Sequence, residues 1–194
     1  MAYIGLRKPI VYEMDAANAG KYKEGVPFGK AVSFSMSPNI AEASLYGDDI
    51  LAESEKAVTS ATLSLGTTDV PDSCKPLMFG HQEGSDEGSG KEYVYNVDDN
   101  ANYVGFAVIG VKKIDGKRKF EAQAFPRTQW KDPSVTINTR GESTEFTTPS
   151  TEGTALPLDS GDYKYEETFD TEAAALEWLG KKFPTQAMAA KVSK

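Results

Sequence analysis

Few side chains in this chain can carry acid–base or nucleophilic chemistry. His81 is the single histidine and Cys74 the single cysteine. A Ser-His-Asp or Cys-His device needs an imidazole as its base, so His81 would have to serve in any such site. Cys74 lies in a segment that Pro71 and Pro76 make irregular, and the spacing supplies no group to orient the base. His81 therefore reads as a polar residue leaving a helix end. The acidic pairs Asp48-Asp49, Asp98-Asp99 and Glu166-Glu167 are adjacent residues, so in extended backbone their carboxylates point to opposite sides. Asp98-Asp99-Asn100 lacks the spacing and distal Glu of a calcium loop and reads as a solvated turn. No Gly-rich phosphate loop is present, because Gly84, Gly88 and Gly90 lead into a strand rather than a helix. These residues predict no catalytic, cofactor or metal site.

The element that organises the chain runs from Tyr103 to Phe125. Asp115-Gly116 suits a two-residue type I′ turn, in which both central residues need φ > 0. That turn pairs Ile114 with Lys117, Val111 with Phe120, Ile109 with Ala122 and Ala107 with Ala124. The last three pairs share one wholly apolar face. On the other face Val104, Phe106 and Val108 stand across from Lys119, Glu121, Gln123 and Phe125. The first strand is thus apolar on both sides, and lies either centrally in a packed sheet or against a second protein surface. Lys112, Lys113, Lys117, Arg118 and Lys119 crowd the hairpin tip, where they suit a solvated turn or a neighbour's acidic surface.

Around this hairpin, residues 3–14 predict a strand or extended arm interrupted by Pro9. Residues 30–37 and 57–65 alternate as half-buried strands. Tyr46 to Lys56 reads as an acidic loop. Asp69 is placed to cap a short helix that Pro76 limits and Gly80 ends. Residues 82–90 read as a Gly/Ser-rich loop, and further strands are expected at 92–97, 134–139 and 163–169. Asp170 or Thr171 caps a helix over 171–179, closed by Gly180, with Ala174, Ala175, Trp178 and Leu179 on its apolar face. The expected fold is mainly β, a sandwich or barrel with a flanking C-terminal helix: one domain over 1–180 and a Lys-rich tail over 181–194.

Charge bounds the partners. The formal net charge is −8, and residues 1–180 carry 17 basic against 29 acidic side chains. A body so acidic repels phosphate backbones and argues against a protein that grips nucleic acid. One cysteine excludes a disulfide within the chain and suits a reducing compartment. Neither a signal peptide nor a membrane span is expected.

Four stretches, in order, carry a resemblance: ASLYGDD at 43–49, PLMFGH at 76–81, YVGFAVIGVKKIDGKRKFEAQAFP at 103–126 and TEAAALEWL at 171–179. Together they resemble the major tail proteins, the tail tube subunits, of long non-contractile-tailed bacteriophages and prophages. The resemblance implies a noncatalytic virion protein, assembled in the host bacterial cytoplasm into stacked hexameric rings that conduct DNA. It also implies contacts with a tape measure protein and a tail terminator, with DNA passing through unbound. Residues 30–37 and 57–65 would form the sheet that continues around the ring. Tyr46, Asp48, Asp49, Ile50, Leu51, Val104, Phe106 and Val108 are the expected assembly interface. The loop at 82–90 is longer and richer in Gly and Ser than the family pattern. The competing reading is a soluble carbohydrate-binding β-sandwich module, which would display exposed aromatics for sugar stacking; Trp178 and Trp130 both have other uses.

Overall fold

The structure, a computed structural model, describes residues 2–15, 20–47, 50–84, 90–139 and 147–184, without the side chains of 45–47 and 50–52. In chain order the strands are β1 (Ala2–Glu13), β2 (Val26–Pro27), β3 (Ala31–Gly47), β4 (Ile50–Thr67), β5 (Gln82–Glu83), β6 (Tyr93–Val94), β7 (Val104–Ile114), β8 (Lys117–Trp130), β9 (Ser150–Ala155) and β10 (Tyr165–Phe169), followed by helix α1 (Glu172–Lys182). The β7–β8 hairpin turns at Asp115-Gly116, with φ of 49° and 77°. Its ladder pairs Ala107 with Ala124, Ile109 with Ala122, Val111 with Phe120 and Ile114 with Lys117, the register that the turn dictates.

Both faces of β7 are covered. On one, Ala107, Ile109, Ala122 and Ala124 meet Ala175 and Leu179 of α1, together with Tyr12, Tyr22 and Phe183. The small Ala side chains let the helix lie close to the sheet. On the other, Val104, Phe106, Val108 and Phe125 pack with Leu63 and Leu65 of β4, Met78, Phe79 and Trp130. Phe34 from β3 closes this layer, its ring centroid 5.7 Å from that of Phe106 and 5.9 Å from that of Phe125.

One sheet supplies both layers. Its order is β2-β1-β7-β8-β9-β4-β3, with β10 also on β8. β8 has two partners in series: Phe120–Ala124 pair with β10, and Thr128–Trp130 pair with β9. Pro126, which has no N–H to give a ladder, falls in the interval between them. From there β9, β4 and β3 turn over the first layer, giving a sandwich. It is not a closed barrel: among the described residues no ladder joins β3 to β1. A cleft of about 600 Å³ marks the gap, with Ile4 and Leu6 on one side and Val32, Phe34 and Met36 on the other.

Among the described residues the buried side-chain polar atoms in this frame are paired, except Arg127 Nε. Trp130 Nε1 donates to Thr128 Oγ1 at 2.9 Å, and Thr128 Oγ1 donates to the Val104 carbonyl at 2.8 Å. Glu121 is buried against Lys112, Tyr3 and Gln123, so one carboxylate ties β1, β7 and β8. Burial opposes its charge, but those hydrogen bonds outweigh burial and hold the carboxyl below the usual range.

Several expectations need correction. Residues 3–14 are a full sheet member rather than an arm; β1 shifts register across Lys8-Pro9, where Lys8 has φ of 53°. Only Tyr93–Val94 of 92–97 is strand, paired with Gln82–Glu83 of the expected loop, and in 134–139 only Ser134 forms a bridge. The short helix is a π-helical turn, Lys75–Phe79, that begins after Cys74 and carries Pro76 in its first turn. Gly80 ends it in the left-handed conformation as expected, while Asp69 accepts from Thr67 and Thr68 instead of capping. Thr171 caps α1, accepting from the Ala174 N–H at 3.2 Å, but the helix runs through Gly180 to Lys182. It continues because Phe183 is the anchor: its ring stacks on Tyr12 at 4.1 Å, which places the start of the expected tail in the core. Residues 185–194 lie outside the described residues.

Replacing Gly116 by Val puts a β-branched residue at φ 77°, although its side chain would meet open space. The strain costs on the order of 1–2 kcal/mol. A melting temperature lower by roughly 2–8 °C is expected by differential scanning calorimetry; an unchanged one would contradict the role given to this turn.

Candidate assembly interface

β3 and β4 leave the sandwich as a two-stranded ribbon. Near its base β4 pairs with β9 over Ala61–Gly66, but beyond Ala61 it has no partner except β3 among the described residues. Residues 37–44 and 53–59 are exposed throughout. From Ser37 to Gly47 such a ribbon reaches about 35 Å at strand rise. Ile40 and Val58 face each other across it, 58% and 45% exposed. Lys56 pairs with Glu42 at 3.0 Å one step further out. Two strands without a third or a covering layer are marginal in water.

The expected acidic loop at 46–56 is therefore the outer end of this arm, with Tyr46 paired to Leu51 and Gly47 to Ile50. A strand exposed on both faces has no buried side to impose alternation, which is why its sequence reads as a loop. Tyr46, Ile50 and Leu51 are brought together at the arm's end through their backbones, and their side chains lie outside the described residues. Asp48 and Asp49 lie outside them entirely. Val104, Phe106 and Val108 are no part of this surface. Each is 1% exposed or less within the chain's own core, so of the two readings of a doubly apolar strand the central position in a packed sheet is the one realised.

Sequence reasoning missed other exposed apolar side chains. Val97 and Ile137 are 99% and 89% exposed, with Tyr95 and Val135 also open. They occupy segments read as strands from the sequence that are irregular in the structure. Tyr95 and Val97 lie beside His81, whose environment is also more structured than expected. Its ring is buried between two carboxylates: Nδ1 is 2.8 Å from Asp99 Oδ2, and Nε2 is 2.8 Å from Asp132 Oδ1. Asp99 is held in turn by the Asn96 N–H at 2.9 Å, and the Tyr95 ring lies 3.9 Å from the imidazole. The arrangement clamps the 95–99 turn to the segment after β8. With both ring nitrogens taken by acids, neither is free to draw a proton from a nucleophile. Burial pushes the Cys74 thiol up to about 11, which keeps it protonated at neutral pH.

No family model matches the chain, and no curated protein matches it significantly. Among the described residues no helix is long and apolar enough to cross a membrane.

Burial works to lower the His81 pKa, but Asp99 and Asp132 together outweigh it and raise it above the ordinary value. A raised folded pKa means that the clamp stabilises fully below the unfolded value of about 6.5, and that this contribution fades as pH climbs through the folded pKa. As the only imidazole, His81 gives an unambiguous NMR titration. A midpoint above about 6.5 is expected, falling when Asp132 is replaced by Asn; a midpoint at or below it would contradict the doubly paired geometry.

Proposed function

We propose that this chain is a structural subunit that assembles with copies of itself, and that the assembly is a bacteriophage tail tube. The observation that carries the reading is the β3–β4 arm, a ribbon of about 35 Å exposing Ile40 and Val58 that has no third strand among the described residues. Association with a neighbour supplies what it lacks, since packing or pairing against another copy covers both the apolar pair and the open strand edges. β3 is the last strand of its sheet and β10 is paired on one side only, so edges for a ring-continuing sheet are present.

The resemblance in the four sequence stretches narrows assembly to the tube. The reading places the protein in the virion, as stacked hexameric rings between a tape measure protein and a tail terminator. An acid-rich chain suits a conduit, because a repulsive wall lets DNA slide without favoured stopping points. The same balance predicts no measurable binding of duplex DNA near physiological salt. Micromolar affinity that weakens steeply with added salt would contradict this.

Replacing Ile40 and Val58 together by Asp tests the arm. Burying one such side chain favours association by roughly 1.5–3 kcal/mol. In the subunit both are largely exposed, so the variant is expected to keep its circular dichroism and melting temperature yet form no rings or tubes by negative-stain microscopy. Assembly equal to that of the parent chain would sink the proposal, and loss of the monomer's fold would show that the arm serves its own subunit.

A further inference from the structure

The tip of the β7–β8 hairpin holds a charge arrangement that the subunit does not resolve. Directly across the ladder, Lys112 faces Lys119 and Lys113 faces Arg118. Like charges placed opposite one another destabilise a strand pair. The inner pair is neutralised: Lys112 bonds to Glu121, and Lys119 to Asp170. The outer pair is not. Lys113, Arg118 and the adjoining Lys117 are exposed, and none is in a salt bridge among the described residues. Lys117 acts only at longer range, helping Lys119 to hold the Asp170 carboxyl low. A basic, electrostatically frustrated tip thus projects from an acidic protein.

The arm is its complement. Residues 38–60 contain Glu42, Asp48, Asp49, Glu53 and Glu55 against Lys56 alone. Glu42 is engaged by Lys56, while Glu53 and Glu55 are exposed and stand two apart, on one face of β4. Arm and tip leave the body at the same end. β3 begins beside Lys8–Ile10 and then passes Tyr3–Leu6. It therefore runs toward the end where Ala2 pairs with Lys113. The arm reaches about 35 Å at strand rise, and its residues 37–44 and 53–59 are exposed throughout.

We propose that the acidic β3–β4 arm of one copy seats on the basic β7–β8 tip of a neighbouring copy. The contact is heterologous, each copy giving an arm and receiving one, which is the arrangement that closes into a ring or continues along a filament. It rests on the self-assembly reading and adds the pair of surfaces that meet. A phosphate backbone would also suit the tip, but the chain's net charge of −8 opposes its approach, whereas the arm brings its carboxylates on a second copy of the same molecule. Contacts of this kind set specificity and register across an interface and weaken with salt.

The test is a charge swap. Replacing Lys113, Lys117 and Arg118 by Glu gives a tip-reversed chain, and replacing Glu53 and Glu55 by Lys gives an arm-reversed chain. Each alone should need roughly tenfold more protein to assemble, read by sedimentation velocity and negative-stain microscopy. The chain carrying all five changes should recover, as should an equal mixture of the two single-surface chains. Lys113→Gln with Arg118→Gln, which removes charge without reversing it, should weaken assembly less and flatten its salt dependence. Circular dichroism of the monomers identifies any variant that has lost its fold, and the Gln variant then decides. If the parent chain assembles and tip reversal changes neither its threshold nor its salt dependence, this contact is wrong while the tube reading stands. If tip reversal instead abolishes binding to a 30-bp duplex DNA probe and leaves assembly intact, the tip is a phosphate site and the contact is again wrong. A parent chain that stays monomeric at every concentration and salt overturns both readings together.

Discussion

A strand that is apolar on both faces has to be covered twice, and that constraint shapes this protein. Residues 104–111 of β7 are buried throughout. One covering is α1 with Phe183; the other is the returning half of the same sheet. Neither layer is dispensable, because leaving Ile109 or Phe106 in water would forfeit roughly 1.5–3 kcal/mol each. The hairpin turn holds the register on which both coverings depend: a slip of one residue would exchange the alanines under the helix for the aromatics of the opposite core. Pro126 then ends pairing with β10 and lets β9 begin, so one long strand can serve two layers.

Where these burial requirements act, the residues announced the structure. The β7–β8 register, the Thr171 cap, the β10 strand and the Gly80 terminus can all be read from turn chemistry, capping and periodicity. The readings fail where burial imposes no pattern. Residues 37–44 and 53–59, in the outer halves of β3 and β4, are exposed on both faces, and 46–56 reads as loop. Residues 92–97 alternate like a strand, yet only Tyr93 and Val94 find partners, since alternation cannot show whether a neighbouring strand exists. Gly180 looks like a helix terminus, but the helix is carried past it by the tertiary stacking of Phe183 on Tyr12.

The candidate surface was legible in part. Tyr46, Ile50 and Leu51 share the end of the β3–β4 ribbon through their backbone pairing. Val104, Phe106 and Val108 were assigned outward because double-sided apolarity does not say whether a second layer comes from the same chain or from another. Here the chain folds back to provide it. The His81 clamp shows the opposite limit. Asp99 and Asp132 are far apart in sequence and neither has a distinctive spacing, so only the fold brings them to the two ring nitrogens.

What remains is an element that the subunit does not stabilise. Within the sandwich each strand is supported by packing, while among the described residues the β3–β4 arm has only its own ladder beyond Ala61. The account claims that another copy provides the missing support. Amide hydrogen exchange measured on the monomer and on the assembled protein tests this most directly. The β7–β8 amides should be protected in both states, and those of residues 39–44 and 53–59 should exchange rapidly in the monomer and become protected on assembly. Equal protection of the arm in the two states would show that the ribbon stands without a partner and would contradict the account.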